Sequence, residues 1–301
     1  GDRVEEALLA HIYARSTNLG ADVVVGPGDD AAVIRCGRDL RLITVDQVIE
    51  GRHVASDTPL DRVAHKAIAR SVSDITAMGG TCLHALATAA LPDGFAGADA
   101  LFSLMSQEAH RYGCPLIGGD IATTTGPYVL TVTVLGVPHP SRGPVLRSTA
   151  RPGDRVSLSG PVGGSFESGR HLTFEPPIDE ARRLCDDLGE RLHAMMDVSD
   201  GVGLDATRLA RASGCGIRLD ASRLPMAIDD WKRALADGED HVLLFTHDGD
   251  APGTVIGEVT EAPDCVVIDP DGGVHDASSF GWIHGSAQSR HPATDRSSGS
   301  L

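Results

Sequence analysis

The sequence predicts an α+β protein built from two domains. Its 301 residues are enough for two domains of ordinary size, each with its own core. Predicted strands and helices follow one another without a regular strand–helix–strand alternation, which favours α+β over a doubly wound parallel sheet. A stretch rich in Pro, Gly, Ser and Arg over 138–153 lacks an apolar period. We therefore expect an N-terminal domain over 1–140 and a C-terminal domain over 141–285.

The first half is predicted to hold three helices and five strands. Apolar residues recur at helical spacing over 1–16, 59–79 and 97–112. Gly79-Gly80 ends the second of these helices and Gly113 ends the third. Short apolar or alternating runs predict strands over 23–25, 31–35, 40–45, 83–90 and 128–137. The run over 128–137 alternates most clearly and is the most secure strand.

The second half restarts the pattern after the break. A strand is predicted over 154–159, followed by a glycine-rich turn over 160–164. Helices are expected over 178–190 and 201–213, and strands over 216–219, 241–246, 253–259 and 265–268. The polar stretch 286–301 has few apolar residues and is expected to be a disordered tail.

Composition narrows the class of protein. Apolar residues make up 41% and the formal net charge is −16, which argues against nucleic acid or an anionic membrane as partner. We find no apolar run of 18 residues and no signal-peptide pattern, so we expect a soluble, cytoplasmic protein. The six cysteines form no C-x-x-C pair, and this spacing predicts reduced, mostly buried thiols rather than zinc ligands or disulfides.

Six aspartates stand out, because each ends or follows an apolar run and is flanked by small residues. They are Asp30, Asp46, Asp74, Asp120, Asp197 and Asp200, in the segments GPGDDAAV, TVDQVIEGRH, SVSDITAMGG, LIGGDIA and DVSDG. This pattern predicts carboxylates gathered at the mouth of a sheet. Gathered carboxylates repel one another unless cations neutralise them, so we expect divalent metal. The neighbouring glycine-rich backbone indicates phosphate as a ligand.

Each segment alone also has a structural interpretation. GPGDD is typical of a β-turn, and Ser199 and Asp200 are residues that cap helix N-termini. LIGGD allows close backbone approach to a phosphate, although it is neither a Walker A nor a Rossmann motif. Asp74 lies inside a predicted helix, where Asp is a poor choice without a functional reason. A lone histidine such as His53 is more often structural than catalytic. Trp282 either fills a core or stacks on a flat ring.

Together these segments resemble the thiamine-monophosphate kinase family, within the superfamily of AIR synthase-like ATP-binding proteins. The similar segments run in order over 22–285 and are GPGDDAAVI, TVDQVIEGRHV, AHKAIARSVSDITAMGG, LIGGD, RSTARPGD, MDVSDGVGLD, DGEDHVLLFT and FGWIHG. The resemblance implies a two-domain AIR synthase-like fold. Its N-terminal sheet domain would form a homodimer, and its nucleotide site would lie in a cleft between the sheet domain and a C-terminal α+β domain.

The resemblance also implies an activity and its residues. ATP would transfer its γ-phosphoryl group to thiamine monophosphate, giving thiamine diphosphate and ADP, with Mg²⁺ and without a side-chain acid or base. The implied metal ligands are Asp30, Thr44, Asp46, Asp74, Asp120, Asp197 and Asp200. The implied ATP contacts are Gly119, Asp120, Arg147 and Ser199. The implied thiamine-phosphate contacts are His53, Glu239 and Trp282.

The chain departs from the family pattern at a few positions. Val45 and Gln47 stand where the family usually has Thr, Ser71 replaces Asn, and GEDHVL with His241 replaces GEDYEL. The carboxylates are intact, so metal and nucleotide binding is the safer expectation. One alternative is a related enzyme with another acceptor, such as an AIR synthase-like or selenophosphate-synthase-like protein. A reactive Cys in a glycine-rich N-terminal segment, expected for the selenium branch, is missing. Two further alternatives are an ATP-binding or thiamine-phosphate-binding homologue without turnover, and aspartates that serve only turns and caps.

Overall fold

Two sheets organise the protein, a computed structural model in which residues 4–282 are described. The tail predicted over 286–301 and the end of the second predicted domain lie outside these residues. Within residues 4–282, no helix is long and apolar enough to cross a membrane.

The first sheet has six strands in the order β1-β2-β3-β6-β4-β5. The strands are β1 Val23–Val25, β2 Ala32–Cys36, β3 Asp39–Ile49, β4 Thr81–Pro92, β5 Leu116–Thr124 and β6 Val129–Val137. All neighbours pair antiparallel except β4 and β5, which are parallel. Three helices accompany the sheet: α1 Val4–Arg15, α2 Leu60–Ala77 and α3 Ala98–Arg111. Buried residues of β6 alternate with half-buried ones, as the sequence predicts, because one face of β6 packs against α2.

The second sheet has seven strands in the order β13-β12-β9-β11-β7-β10-β8. The strands are β7 Arg155–Leu158, β8 Leu192–Asp197, β9 Gly216–Asp220, β10 Leu243–His247, β11 Thr254–Thr260, β12 Cys265–Ile268 and β13 Val274–Asp276. The helices are α4 Ile178–Leu188, α5 Val202–Ser213 and α6 Trp231–Ala236. Both sheets are mixed and mainly antiparallel, which confirms the predicted α+β class.

Helix α2 connects the two halves. Its apolar face, including Val63, Ile68 and Ile75, joins the core of the first sheet. Ala77 near its end joins a second cluster with residues of α4, β8 and β10, among them Leu184 and Phe245. The remaining face of α2 therefore lies at the junction between the two sheets, where side chains from both halves meet.

Several local predictions were wrong. LIGGD, for which no strand was predicted, is part of strand β5, and the elements β8, β13 and α6 were not predicted either. Strand β3 runs to Ile49, so Asp46 lies inside the strand and not after it. Strand β10 begins at Leu243 and not at His241, because Glu239 and His241 adopt left-handed backbone conformations with φ of 55° and 49°.

Candidate active site

Four polar side chains of α2 lie along the junction between the sheets. Lys66, Arg70, Ser73 and Asp74 recur at spacings of three and four residues, which places them on one helix face. Lys66 and Ser73 are fully buried, and Arg70 and Asp74 are half-buried. Arg70 and Asp74 bond strand β3. Ser73 bonds the end of β8 and Lys66 bonds the turn before β10, so α2 is the element that gathers the site.

Three aspartates from separate segments form a cluster that could hold a divalent cation. Asp30 precedes β2, Asp74 is on α2 and Asp197 ends β8, and one carboxylate oxygen of each lies within 4.8 Å of the others. The Thr44 hydroxyl donates to Asp74 Oδ2 at 2.5 Å and lies 3.2 Å from the Asp30 carbonyl oxygen. Carboxylate and hydroxyl oxygens are the ligands that Mg²⁺ takes in proteins, so the donor set fits the predicted metal.

Burial makes it unfavourable for all the carboxylates of this cluster to be ionised at once. Burial raises the pKa of Asp30 to about 7, although the Arg147 guanidinium opposes the shift. Burial also raises the pKa of Asp74 well above its usual value, and neighbouring carboxylates add to the shift. Burial opposes ionisation of Asp197 as well, but hydrogen bonds from His241 and Ser73 outweigh it and lower its pKa. Such a group of carboxylates takes up protons or cations to relieve its repulsion.

Four of the predicted metal ligands are each paired with a basic side chain. The pairs are Asp30 with Arg147 at 3.0 Å, Asp46 with Arg70 at 3.3 Å, Asp197 with His241 at 2.9 Å and Asp200 with Arg208 at 2.6 Å. A network of this kind can also be purely structural. Any metal or phosphate that enters the site must compete with these cations.

A fully buried lysine joins two of the predicted acceptor contacts. Lys66 Nζ lies 2.8 Å from Glu239 Oε2 and donates to the His53 carbonyl at 3.0 Å. Burial acts against ionisation of Glu239, but the Lys66 ammonium outweighs it, so the pKa of Glu239 lies well below its usual value. His53 follows β3 and Glu239 precedes β10, so this ion pair crosses from one half of the chain to the other.

The turn that carries Glu239 is strained. Glu239 and His241 are the two non-glycine residues with positive φ in the described part of the chain. The turn is held by Ser165, whose hydroxyl donates to the Glu239 carbonyl at 2.6 Å, and by the Glu239 amide, which donates to the Ser199 carbonyl at 2.7 Å. Backbone strain of this kind clusters at functional sites, where surrounding contacts maintain it.

His241 lies between the metal cluster and Glu239. Its Nδ1 donates to Asp197 Oδ2 at 2.9 Å, and its Nε2 lies 3.7 Å from Glu239 Oε2. Burial lowers the pKa of His241, but the two carboxylates outweigh burial and raise it to about 9. The ring of Phe174 stacks on the imidazole at 3.9 Å and fixes its plane. His241 thus connects the two groups of predicted site residues.

Ser199 and Asp200 of the DVSDG segment do not cap helix α5. The N-cap residue is Gly201, and it makes no side-chain capping bond. The amides of Ser199 and Asp200 instead donate to Asp205 Oδ2, both at 3.0 Å. The Trp282 amide donates to the Asp200 carbonyl at 2.7 Å, which places Trp282 beside this segment.

Gly119 and Asp120 lie apart from the cluster within one copy of the chain. The register across the first sheet aligns Gly119 with Ala87, then Val132, then Asp46. Three strand spacings of about 4.8 Å put Gly119 roughly 14 Å from Asp46. Asp120 is exposed on β5, which is an edge strand. One copy therefore does not bring Asp120 to the other predicted ligands.

An apolar cavity of about 470 Å³ lies beside Gly119 and Asp120. It is lined by strands β4 and β5, by helix α3 and by Leu130 of β6. Phe102 on α3 lines it although 60% of that side chain is exposed. The cavity has the size and apolar lining of a small-molecule site.

Sequence analysis missed two residues of the site, Lys66 and Arg70. Both precede Asp74 by multiples of four residues on the same predicted helix. This spacing is a signal that could have found them, because residues four apart share a helix face.

Both halves of the chain match family models. Residues 28–138 match the model described as AIR synthase related protein, N-terminal domain. Residues 151–251 match the model of the C-terminal domain of the same proteins. The two matched domains thus define an AIR synthase-related protein.

Relatives narrow this class further. The chain is 34% identical over 264 residues to the thiamine-monophosphate kinase of Rhodopirellula baltica, covering 80% of this chain and 81% of the relative. It is 32% identical over 288 residues to the thiamine-monophosphate kinase of Mycobacterium tuberculosis, covering 85% of each. The structure of AaThiL complexed with AMPPCP and TMP matches with a TM-score of 0.79 and 28% identity, covering 94% of this chain and 98% of that one. The chain belongs to the thiamine-monophosphate kinase family.

Proposed function

We propose that the protein transfers the γ-phosphoryl group of ATP to thiamine monophosphate, giving thiamine diphosphate and ADP. The observation that carries this proposal is the junction between the two sheets, where His241 joins a carboxylate cluster to the Lys66–Glu239 pair. The relatives named thiamine-monophosphate kinase support it, and so does the AaThiL complex with AMPPCP and TMP.

The protein would bind Mg²⁺ through side-chain oxygens at the junction of the two sheets. The ligands would be Asp30, Thr44, Asp74 and Asp197, with Asp46 and Asp200 at the edges of the group. Bound Mg²⁺ would neutralise phosphate charge and orient the transferred phosphoryl group. Buried carboxylates with raised pKa values favour such a ligand, because a divalent cation replaces the protons they otherwise hold.

Arg147 and Ser199 are proposed as nucleotide contacts. The Arg147 guanidinium is oriented by Asp30, and 18% of its side chain remains exposed. A guanidinium fixed in this way can bind phosphate oxygens with little loss of side-chain entropy. Transfer in line between two phosphates then depends on positioning and charge, and requires no proton acceptor from the chain.

His53, Glu239 and Trp282 are proposed as acceptor contacts. Glu239 is held ionised by Lys66, and a carboxylate complements the cationic thiazolium ring of thiamine. Trp282 is half-buried beside Asp200 and offers an aromatic face to a flat ring.

We also propose that the protein acts as a homodimer through the first sheet. On the face of this sheet that points away from α2, large apolar side chains are exposed, with Val45 at 60% and Leu86 at 44%. Val45 and Leu86 share a row, since both pair with Thr133 of β6. An exposed apolar sheet face with an open edge strand is suited to cover by a second copy. In such a dimer, Asp120 would reach the nucleotide and metal from the partner copy. The cytoplasmic location stays a prediction.

The changed acceptor turn favours a second candidate function. His241 replaces the Tyr expected from the family pattern, so the site would bind ATP together with another phosphate acceptor, or with none.

Purified protein with Mg·ATP and thiamine monophosphate should give ADP and thiamine diphosphate in equal amounts. Saturable ATP binding without any product would instead support this second candidate. Asp46→Asn serves as the matched control and should remove turnover while the fold is retained.

A further inference from the structure

Arg70 is a cation built into the carboxylate site. Its Nε lies 3.3 Å from Asp46 Oδ2, and its Nη2 donates to Asp46 Oδ1 at 3.4 Å. Its Nη1 donates to the Gln47 carbonyl at 3.2 Å, which fixes the guanidinium against strand β3. Only 14% of the Arg70 side chain is exposed. Both oxygens of Asp46 therefore face an immobilised positive charge.

The surroundings of Arg70 keep it charged. An arginine guanidinium stays protonated in proteins, and its charged neighbours here are the carboxylates of Asp46, Glu239, Asp74 and Asp200. An arginine in this position cannot leave Asp46 by losing its proton. It can leave only by turning toward another anion.

We propose that Arg70 keeps divalent metal off Asp46 while no nucleotide is bound. A divalent cation on either oxygen of Asp46 would lie a few ångströms from the guanidinium, and like charges at that separation repel strongly in a half-buried site. Nucleotide phosphates bring negative charge that offsets this repulsion and offers Arg70 another partner. Asp46 therefore becomes a metal ligand only together with the nucleotide. This inference rests on the metal site of the proposed function, and it makes Arg70 a positioning residue for the metal at Asp46.

Counting bound Mn²⁺ in the nucleotide-free protein tests this directly. Free Mn²⁺ is measured by electron paramagnetic resonance in wild type and in Arg70→Met, which removes the charge and keeps an unbranched apolar side chain. Arg70→Met should bind Mn²⁺ at an additional site, or about tenfold more tightly, the scale expected for one nearby like charge. Arg70→Lys keeps the charge and should stay within about threefold of wild type.

Arg182→Met is the control for the change in net charge. Arg182 forms an exposed pair with Asp179 on α4, away from the site. This variant should bind Mn²⁺ as wild type does, because exposed charges are screened. Equal or weaker Mn²⁺ binding in Arg70→Met than in wild type would overturn the inference, since Arg70 would then orient Asp46 for the metal.

A second variant tests the same inference without altering Arg70. Asp46→Asn should leave the number of Mn²⁺ ions bound by the nucleotide-free protein unchanged, because Asp46 is not then a ligand. Loss of a bound ion in this variant would show that Asp46 already binds metal and would overturn the inference. Neither result depends on thiamine diphosphate formation, so failure of this inference and failure of the proposed kinase activity are separately visible.

Discussion

The two sides of the cleft are stabilised in opposite ways. The proposed metal side consists of Asp30, Thr44, Asp74 and Asp197, which come from separate segments, and basic side chains accompany its carboxylates. The proposed acceptor side consists of His53, Lys66, Glu239 and His241, and it depends on one fully buried lysine and a strained turn. Several ion pairs therefore stabilise the carboxylates of the metal side, whereas Lys66 is the main charge that stabilises Glu239 on the acceptor side.

This difference determines whether a substitution on each side should affect activity or folding. The metal side contains several charged groups, so the removal of one carboxylate there should reduce the activity more than the stability of the fold. Removing Lys66 leaves Glu239 as a buried charge without its ammonium partner, which is costly for any fold. The acceptor side should therefore lose substrate affinity and stability together.

Asp74→Asn is expected to have the largest effect. Asp74 contributes to the cluster from α2 and accepts from Thr44, and Asn keeps its shape while removing its charge. We expect kcat to fall by about a thousandfold, because metal neutralisation of phosphate charge supplies several kcal/mol. Initial rates of ADP formation at saturating thiamine monophosphate measure this. Wild-type activity in this variant would show that the cluster is structural.

Leu86→Asp tests whether the metal side needs a second copy. A charge at Leu86 would be buried twice in a symmetric interface, so the dimer should weaken by about a hundredfold. Val274→Asp is the matched control, since Val274 is 66% exposed on β13 of the other sheet. Light scattering after size exclusion gives the mass, and nucleotide affinity should fall with it. A monomeric wild type with full activity would contradict the assignment of Asp120 to the partner copy.

Lys66→Met should act mainly on the acceptor side. We expect KM for thiamine monophosphate to rise about tenfold while KM for ATP changes by less than about twofold. Glu239→Gln in the same chain should add little further loss if Lys66 acts through Glu239. Thermal unfolding of both variants controls for stability. Equal changes in both KM values would show that Lys66 serves the whole cleft.

The effect of Mg²⁺ on stability should depend on pH. The raised pKa of Asp30, at about 7, means that folding favours its protonated form. Its contribution to stability is thus complete below its unfolded pKa of about 4 and is lost as pH rises through about 7. Asp74, whose pKa is also raised, adds in the same direction. Mg²⁺ binds the ionised forms, so it should raise Tm by a few degrees more at about pH 8 than at about pH 5.5. An equal rise at both pH values would contradict this account.

Most of the fold followed from local patterns, and the missed elements have identifiable causes. Strand β5 was not predicted because two glycines in LIGGD are typical of a turn. In the structure Gly119 is required there, since a Cβ would lie 1.8 Å from the Ala87 carbonyl oxygen. Strand β8 is fully buried, so its run LHAMMD lacks the alternation that marks a half-buried strand.

The residues of the predicted site also fall into two groups, those that a local sequence pattern reveals and those that only the fold brings together. Carboxylates such as Asp30 and Asp197 were found because acidic residues after apolar runs are unusual in sequence. Lys66 and Arg70 were missed because their partners lie in distant segments, and a pairing of that kind appears only when α2 is placed between the sheets. Asp120 was grouped with the others because it too follows an apolar run with small neighbours, and the strand register separates it from them in one copy.

Isothermal titration of two variants against two ligands tests the central claim most directly, namely that the two sides of the cleft bind different substrates. Asp74→Asn and Lys66→Met are each titrated with Mg²⁺ and a non-hydrolysable ATP analogue, and separately with thiamine monophosphate. We expect Asp74→Asn to lose affinity for the nucleotide and to keep its affinity for thiamine monophosphate, and we expect the reverse for Lys66→Met. Loss of both ligands in both variants, with the fold retained, would contradict it.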